Sequence, residues 1–252
     1  TNKPLQREDK QDLLFATQAK KIEYIVNKIN SNNSNRPVLI GTISIEQSEY
    51  VSAQLSKEGI KHDLLNAKND FEEASIIKNA GKFGHVTIAT NMAGRGVDIV
   101  LEKGTEKVGG LLVIGFERNQ NKRIDNQLIG RSGRQGDKGE SIFLVSLEDK
   151  ILNVINDTIK GMLKEVIKDQ ENSTKMLSRI ISKQQERIEN NNFKQRKSLY
   201  EYDRIIQDNR KLLYEMRMEF LVLKDDEENF EMLKNKVKSY KEFYLNNIDT
   251  KN

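Results

Sequence analysis

Two short stretches hold the residues of this chain whose types and spacing could do chemistry. Residues 127–137, QLIGRSGRQGD, carry a glutamine, two arginines three apart (Arg131 and Arg134) and interleaved glycines. About forty residues upstream, residues 87–99 read TIATNMAGRGVDI, with Arg95 between Gly94 and Gly96 and Asp98 close behind. Arginine beside glycine suits a phosphate. The guanidinium forks onto phosphate oxygens, and a backbone without Cβ lets the ligand approach. Arg131 and Arg134 share one face if that segment is helical. Asp98 is fit to accept hydrogen bonds from a ribose hydroxyl or to orient Arg95. Either stretch alone also reads as a tight, solvated basic turn. No GxxxxGK[ST] loop occurs in the sequence, and no acidic run follows an apolar strand. The chain therefore reads as the arginine half of an ATP site without the half that cradles phosphates and magnesium.

The elements that must position these residues follow from periodicity and composition. Short β-branched apolar runs at 37–42, 63–67, 86–90, 111–115 and 141–145 predict buried strands. Amphipathic segments at 45–57, 71–80 and 123–129 predict helices between them. Strands alternating with helices imply an α/β domain, a three-layer arrangement with a mainly parallel sheet, over about residues 16–147. The loop after residues 86–90 then lies at the C-terminal end of a strand, where open α/β sheets bind ligands. All 15 glycines and both prolines lie at or before Gly161. The remainder, free of both breakers, predicts a long α-helical extension from about residue 173 to 221, on the order of 70 Å in length. Leu177, Ile180, Ile181, Ile188, Leu199, Tyr202, Ile206, Leu213 and Met216 form an intermittent apolar stripe along it.

Bulk properties narrow the function classes. Forty-two basic residues face 38 acidic ones, a net charge of +4, and the pI is about 9.0. That is a mixed surface, unlike the one-sided basicity of a dedicated nucleic-acid binder, so no nucleic-acid partner is expected. There are no cysteines, which excludes disulfides and thiol chemistry within the chain, and no zinc or other metal site is expected in it. His62 and His85 lack metal-like spacing. No apolar run approaches the length of a membrane span, and the first residues do not read as a signal peptide. Residues 224–228, KDDEE, read as a solvated acidic linker before one more amphipathic helix.

The chain resembles the second nucleotide-binding domain of the SecA protein-translocase motors, a RecA-like domain of helicase C-terminal type, followed by part of their helical scaffold. The stretches VLIGTISIEQSE (38–49), LNAKN (65–69), TIATNMAGRGVDI and ERNQNKRIDNQLIGRSGRQGD (117–137) carry the likeness, with RIENNNFKQRKSLYEYDRIIQDNRKLLYEMR (187–217) downstream. The resemblance implies a division into a linker (1–15), the nucleotide domain (16–147), connector helices (148–172), a long scaffold helix (173–223) and an acidic linker with a terminal helix (224–252). It implies catalytic roles for Arg131, Arg134 and Arg95, and nucleotide contacts from Asp98, Gly96, Gly94, Gln127, Gly130 and Gly133. ATP or ADP with magnesium is the implied cofactor, with the magnesium ligands in a first nucleotide-binding domain that this sequence does not contain. The chain is accordingly expected to be part of a longer motor, a protein-translocating ATPase, and to hydrolyse essentially no ATP alone.

Implied partners are that first domain, the SecYEG channel and a preprotein, with anionic lipid and a second copy of the chain left open. The implied location is the cytoplasmic face of the bacterial inner membrane, peripherally bound. Phe116, Asn119, Gln120, Asn121, Ile129, Val97 and Lys138 depart from the residues usual in the housekeeping motor, and such drift fits an accessory form. Two other classes remain open from the residues themselves: the C-terminal RecA-like domain of a nucleic-acid helicase, and a non-enzymatic fragment that binds a partner through its long helix.

Overall fold

The computed structural model describes residues 3–31, 35–66, 73–91, 96–153, 155, 157–168, 175–222 and 226–248. The chain divides into two compact units, Thr1–Asn191 and Asn192–Asn252.

The first unit is built on a seven-stranded sheet. Its strands are β1 (Gln6–Asp9), β2 (Leu13–Phe15), β3 (Val38–Thr42), β4 (Asp63–Leu65), β5 (Val86–Thr90), β6 (Leu111–Gly115) and β7 (Lys138–Ser146). The order is β1-β7-β6-β3-β5-β4, with β2 also pairing β7. The recorded pairings are all parallel. Every residue of β3, β5 and β6 is buried, as a parallel sheet covered on both faces requires. One core layer joins Ile22 and Ile25 to Val51, Leu55, Ile88 and Ile114. The other joins Leu39, Ile76, Ile77, Val113 and Leu128.

The helices of this unit are α1 (Gln18–Asn30), α2 (Ile45–Lys57), α3 (Glu73–Asn79), α4 (Lys122–Ile129), α5 (Lys150–Asn153) and α6 (Asp157–Lys168), followed by the first turns of α7 (Lys175–Val222). Capping chemistry fixes several starts. Ser44 Oγ accepts from the backbone N–H of Gln47, and Gln47 Oε1 accepts in return from that of Ile43, close to a capping box. Asn121 caps α4 by accepting from the backbone N–H of Arg123.

The five strands expected from apolar runs are present with small shifts of their ends. Residue 67 of the expected 63–67 strand, and residues 71 and 72 of the expected 71–80 helix, lie outside the described residues. Two strands were not anticipated. β1 and β2 lie within residues 1–15, the stretch expected to be a linker, and both pair with β7: Gln6 sits opposite Lys138 and Leu13 opposite Leu144. β1 carries the charged run Arg7, Glu8 and Asp9, and β2 is three residues long. β1 shows neither the alternation nor the apolar run by which strands are read, and β2, Leu13-Leu14-Phe15, is apolar but shorter than such runs.

Helix α7 is one unbroken helix of 48 residues, on the order of 70 Å long. Its Leu177 and Ile181 are buried with Leu14, Val145, Ile151, Leu152, Ile155 and Leu163 in a third apolar cluster. The second unit holds the rest of α7 and α8 (Asp226–Ile248). Apolar side chains there stand in solvent: Leu199, Tyr202 and Leu213 are each more than 60 % exposed. Lys236 of α8 pairs with Glu219 of α7. Among the described residues no helix is long and apolar enough to cross a membrane.

Candidate functional site

The sheet reverses its winding at β3. The chain passes from β3 to β4 and β5 on one side, then returns to β6 on the other. Ligand crevices form beyond the carboxyl ends of strands at such a switch. A cleft of about 290 Å³ lies there, lined by Ala89, Thr90 and Asn91 at the end of β5, by Gly96, and by Ile124, Gln127, Leu128, Gly130, Arg131 and Arg134 from α4 and the turn behind it.

Local sequence explains why the arginines arrive in this place. α4 lies so close to the sheet that a Cβ on Gly41 of β3 would sit 2.4 Å from Leu128 Cδ2. A bare strand position therefore seats the helix. After α4 the chain tightens into the turn bearing the arginines. The backbone N–H of Arg131 donates to the Leu128 carbonyl (3.1 Å), and that of Ser132 to the Ile129 carbonyl (3.1 Å). Ser132 Oγ donates to the Leu111 carbonyl (2.8 Å), and Arg7 Nη1 donates to the Ser132 carbonyl (3.1 Å). Gly133 has φ +70, and a Cβ there would come within 2.6 Å of Arg7 Cβ. Gln135 also takes positive φ, 55°, which is uncommon for a residue other than glycine.

The two arginines differ in setting. Arg131 is half-buried, and burial holds its guanidinium below the usual arginine range, with Glu73 opposing. Arg134 is half-exposed. Its Nε donates to the Gly130 carbonyl (2.9 Å), and its Nη1 pairs with the Asp98 carboxylate, which is itself 63 % exposed. This pair joins the two motifs directly. From the sequence Asp98 is offered a ribose hydroxyl or Arg95 as partners; in the folded chain Arg134 meets it.

Of the nine residues singled out from the sequence, Gly96, Gln127, Gly130, Arg131 and Arg134 line the cleft together. Asp98 reaches it through Arg134. Gly133 is not among the lining residues; its conformation and its packing on Arg7 serve the shape of the turn. Gly94 and Arg95 lie outside the described residues. The donor set fits a phosphate-bearing end of a ligand: two guanidinium groups, an amide and bare backbone converge on one crevice. Its size is at the low end for a small-molecule site. Among the described residues, no three His, Asp or Glu side chains are grouped as metal ligands.

A polar network behind α4 escaped the sequence reading. Asp125, on the first turn of α4, accepts at Oδ1 from the Asn119 backbone N–H (2.9 Å). Its Oδ2 accepts from Arg118 Nη1 (3.2 Å) and from Gln185 Nε2 of α7 (2.8 Å). The same Gln185 nitrogen donates to the Asn119 carbonyl (2.7 Å). Arg118 forks onto Asp12 (2.5 and 3.2 Å) and lies over the Phe143 ring (3.8 Å). Burial pushes the Asp125 carboxyl above its ordinary value, against the lowering pull of these donors. Nearby, the fully buried Lys21 pairs with Asp149 (2.7 Å), donates to the Phe116 carbonyl (2.8 Å) and sits over the Phe116 ring. One signal could have found these residues: each continues an apolar helix face. Lys21 precedes Ile25 by four, Asp125 precedes Leu128 by three, and Gln185 follows Ile181 by four.

Comparison with known proteins bears on the family and the fold. A model of the SecA P-loop domain matches residues 4–108 and 102–171, and a model of the SecA wing and scaffold domain matches residues 171–251. Among solved structures, the yeast DEAD-box splicing factor Prp28 matches at 19% identity and TM-score 0.50, over 72% of this chain and 38% of that one. The E. coli DEAD-box protein SrmB, bound to regulator of ribonuclease activity A, matches at 22% identity and TM-score 0.47, over 60% and 82%. At such identity the Prp28 match shows the RecA-like fold alone. The two family matches run through the sheet and on through the long helix, and the chain belongs to the SecA family.

Proposed function

We propose that this chain supplies the arginine-bearing half of the ATP site in a motor that drives preproteins through the SecYEG channel. The observation that carries the reading is the convergence of Arg131 and Arg134 with Gly96 and Gln127 on a cleft beyond the carboxyl ends of the sheet. ATP bound with magnesium on a first nucleotide-binding domain would present its phosphates to this cleft. The other domain would supply the phosphate cradle and the metal ligands. This chain would add charge where charge spreads in the transition state. Arg134 is the better placed of the two arginines to move, since its partner Asp98 is solvated and an exposed ion pair is worth only about 0–1 kcal/mol. Nucleotide would exchange that pair for two others: Arg134 to phosphate and Asp98 to the ribose side. Arg131 would stay as a fixed positive wall, and Arg95 and Gly94 keep the phosphate-contacting roles that the family resemblance implies for them.

In this reading residues 16–147 are the nucleotide domain, 148–172 the connector, 173–223 the scaffold helix that carries closure toward the preprotein, and 224–252 an acidic linker with a terminal helix. The motor works at the cytoplasmic face of the membrane, and anionic lipid and a second copy are further candidate partners. The test is reassembly with a first nucleotide-binding domain that carries a GxxxxGK[ST] loop. Magnesium-dependent ATP turnover should appear only in the mixture and rise with preprotein. Turnover by this chain alone, or none in the mixture, would refute the division of labour.

A further inference from the structure

α4 is a short rod. It has eight residues, on the order of 12 Å. One end runs straight into Gly130, Arg131 and the arginine turn. Its first turn bears Asp125, whose carboxylate Oδ2 accepts from Gln185 of the long helix at 2.8 Å. The same amide nitrogen donates to the Asn119 carbonyl at 2.7 Å, in the loop that leads into α4. Both neighbours are acceptors, so the nitrogen of the amide must face them. Gln185 is 5 % exposed and Asp125 2 %, so water does not readily replace either bond if it breaks.

We infer that Gln185 is a positioning residue: through Asp125 and Asn119 it fixes the rod, and so sets where the long helix allows Arg131 and Arg134 to stand in the cleft. The inference rests on the arginine roles proposed above. It adds the contact through which a shift of the long helix is felt at the nucleotide. A shift of α7 that lengthens the Gln185 bonds leaves a buried carboxylate with Arg118 and the Asn119 N–H as its remaining donors. The rod must then follow α7 or turn toward Arg118, and either movement displaces the arginine turn at its far end.

Two variants test this, Gln185→Ala and the same-sized Gln185→Glu, which sets a like charge against Asp125. The equally buried neighbour gives the control, Gln184→Ala. In the 252-residue chain, hydrogen exchange should rise about tenfold across residues 119–136 in both Gln185 variants, with β3 and β5 unchanged and the control silent. Exchange that is unaltered there, or that rises equally in β3 and β5, would show a packing role only and overturn the inference. In the reassembled motor, kcat should fall about tenfold with KM for ATP held within about twofold. An unchanged kcat would equally overturn it. If the unaltered mixture turns over no ATP, the proposed arginine roles fail instead, and the exchange measurement still decides whether Gln185 fixes α4.

Discussion

Two ion pairs of the first unit are built from the same charges and do opposite jobs. Lys21 and Asp149 are both buried to within 1 % exposure and meet at 2.7 Å. Each also has other partners: the lysine holds the Phe116 carbonyl, and Asp149 accepts from the Ser146 backbone N–H and hydroxyl. Arg134 and Asp98 meet in partial solvent, 34 % and 63 % exposed. A buried pair locks three segments together because breaking it strands a charge. An exposed pair locks very little, and its members stay available to a ligand. The charge in this fold that a ligand can recruit at little cost is the charge still paired in reach of solvent.

The widest separation between the two pairs should appear in turnover. Arg134→Ala in the reassembled motor is expected to cost roughly 10³-fold or more in kcat, as loss of an arginine finger does. Arg134→Lys should do nearly as badly, since lysine keeps the charge and loses the planar fork. Nucleotide affinity should fall far less than turnover in both, because the missing interaction belongs to the transition state. Near-normal steady-state ATPase in Arg134→Ala would move the finger to Arg131 or Arg95. The same substitutions should barely alter urea unfolding.

Lys21→Met reverses that profile. It leaves Asp149 buried with its lysine gone, and unfolding free energy from urea titration should drop by about 3–5 kcal/mol. The Phe116 carbonyl loses its donor as well. A drop under about 1 kcal/mol would mean that the pair is no more than an exposed one in its effect. Asp98→Asn supplies the other side of the comparison. Its stability change should lie within about 1 kcal/mol, and the freed Arg134 should raise the chain's affinity for a simple polyanion such as tripolyphosphate. Calorimetry showing weaker binding would place Asp98 among the groups that hold the phosphate end rather than among those that guard Arg134.

How much of this was legible from the residues alone varies with the kind of signal. The central strands were, because a buried parallel strand reads as an apolar run, and β3, β5 and β6 are such runs. β1 was not, because its residues Arg7, Glu8 and Asp9 are charged and its strand character comes from pairing with β7. The long helix was legible from the absence of glycine and proline, though the sequence gives no reason why its apolar stripe should be buried at Leu177 and Ile181 and exposed at Leu199 and Leu213. Five of the candidate site residues converge on the cleft. The Arg134–Asp98 pair and the Gln185–Asp125 bond were not foreseen, since each joins residues whose proximity only the folded chain decides. Phe116 and Ile129, noted as departures from the usual family residues, turn out to pack within the unit: Phe116 is fully buried under Lys21, and Ile129 packs on the second core layer.

The smallest expected effect is a pH dependence that belongs to the buried side of the comparison. Glu117 follows Phe116 directly and is 7 % exposed. Burial pushes its carboxyl up, the Asp149 charge adds to the push, and the Gln47 hydrogen bond and Lys21 oppose it. A carboxyl raised on folding holds its proton more tightly in the folded chain than in the unfolded one. Between the unfolded value, about 4.3, and the higher folded one, the folded state binds more protons, so stability falls as pH rises through that window. Asp9 acts in the opposite sense and lower down: its hydrogen bond from Arg7 depresses its pKa, and its contribution is lost as pH falls below the usual carboxylate range. Asp125, also raised by burial, shares the direction of Glu117. Glu117→Gln keeps an acceptor for Gln47 Nε2, which donates to Glu117 at 2.6 Å, and removes the titration. Melting temperature against pH should therefore be flatter in Glu117→Gln from about pH 4.3 upward, with the two curves meeting at lower pH, where Glu117 is protonated in both states. Parallel curves across the whole range would mean that Glu117 titrates as a solvated carboxyl does, and that the polar ground around Lys21 is wetter than its burial indicates.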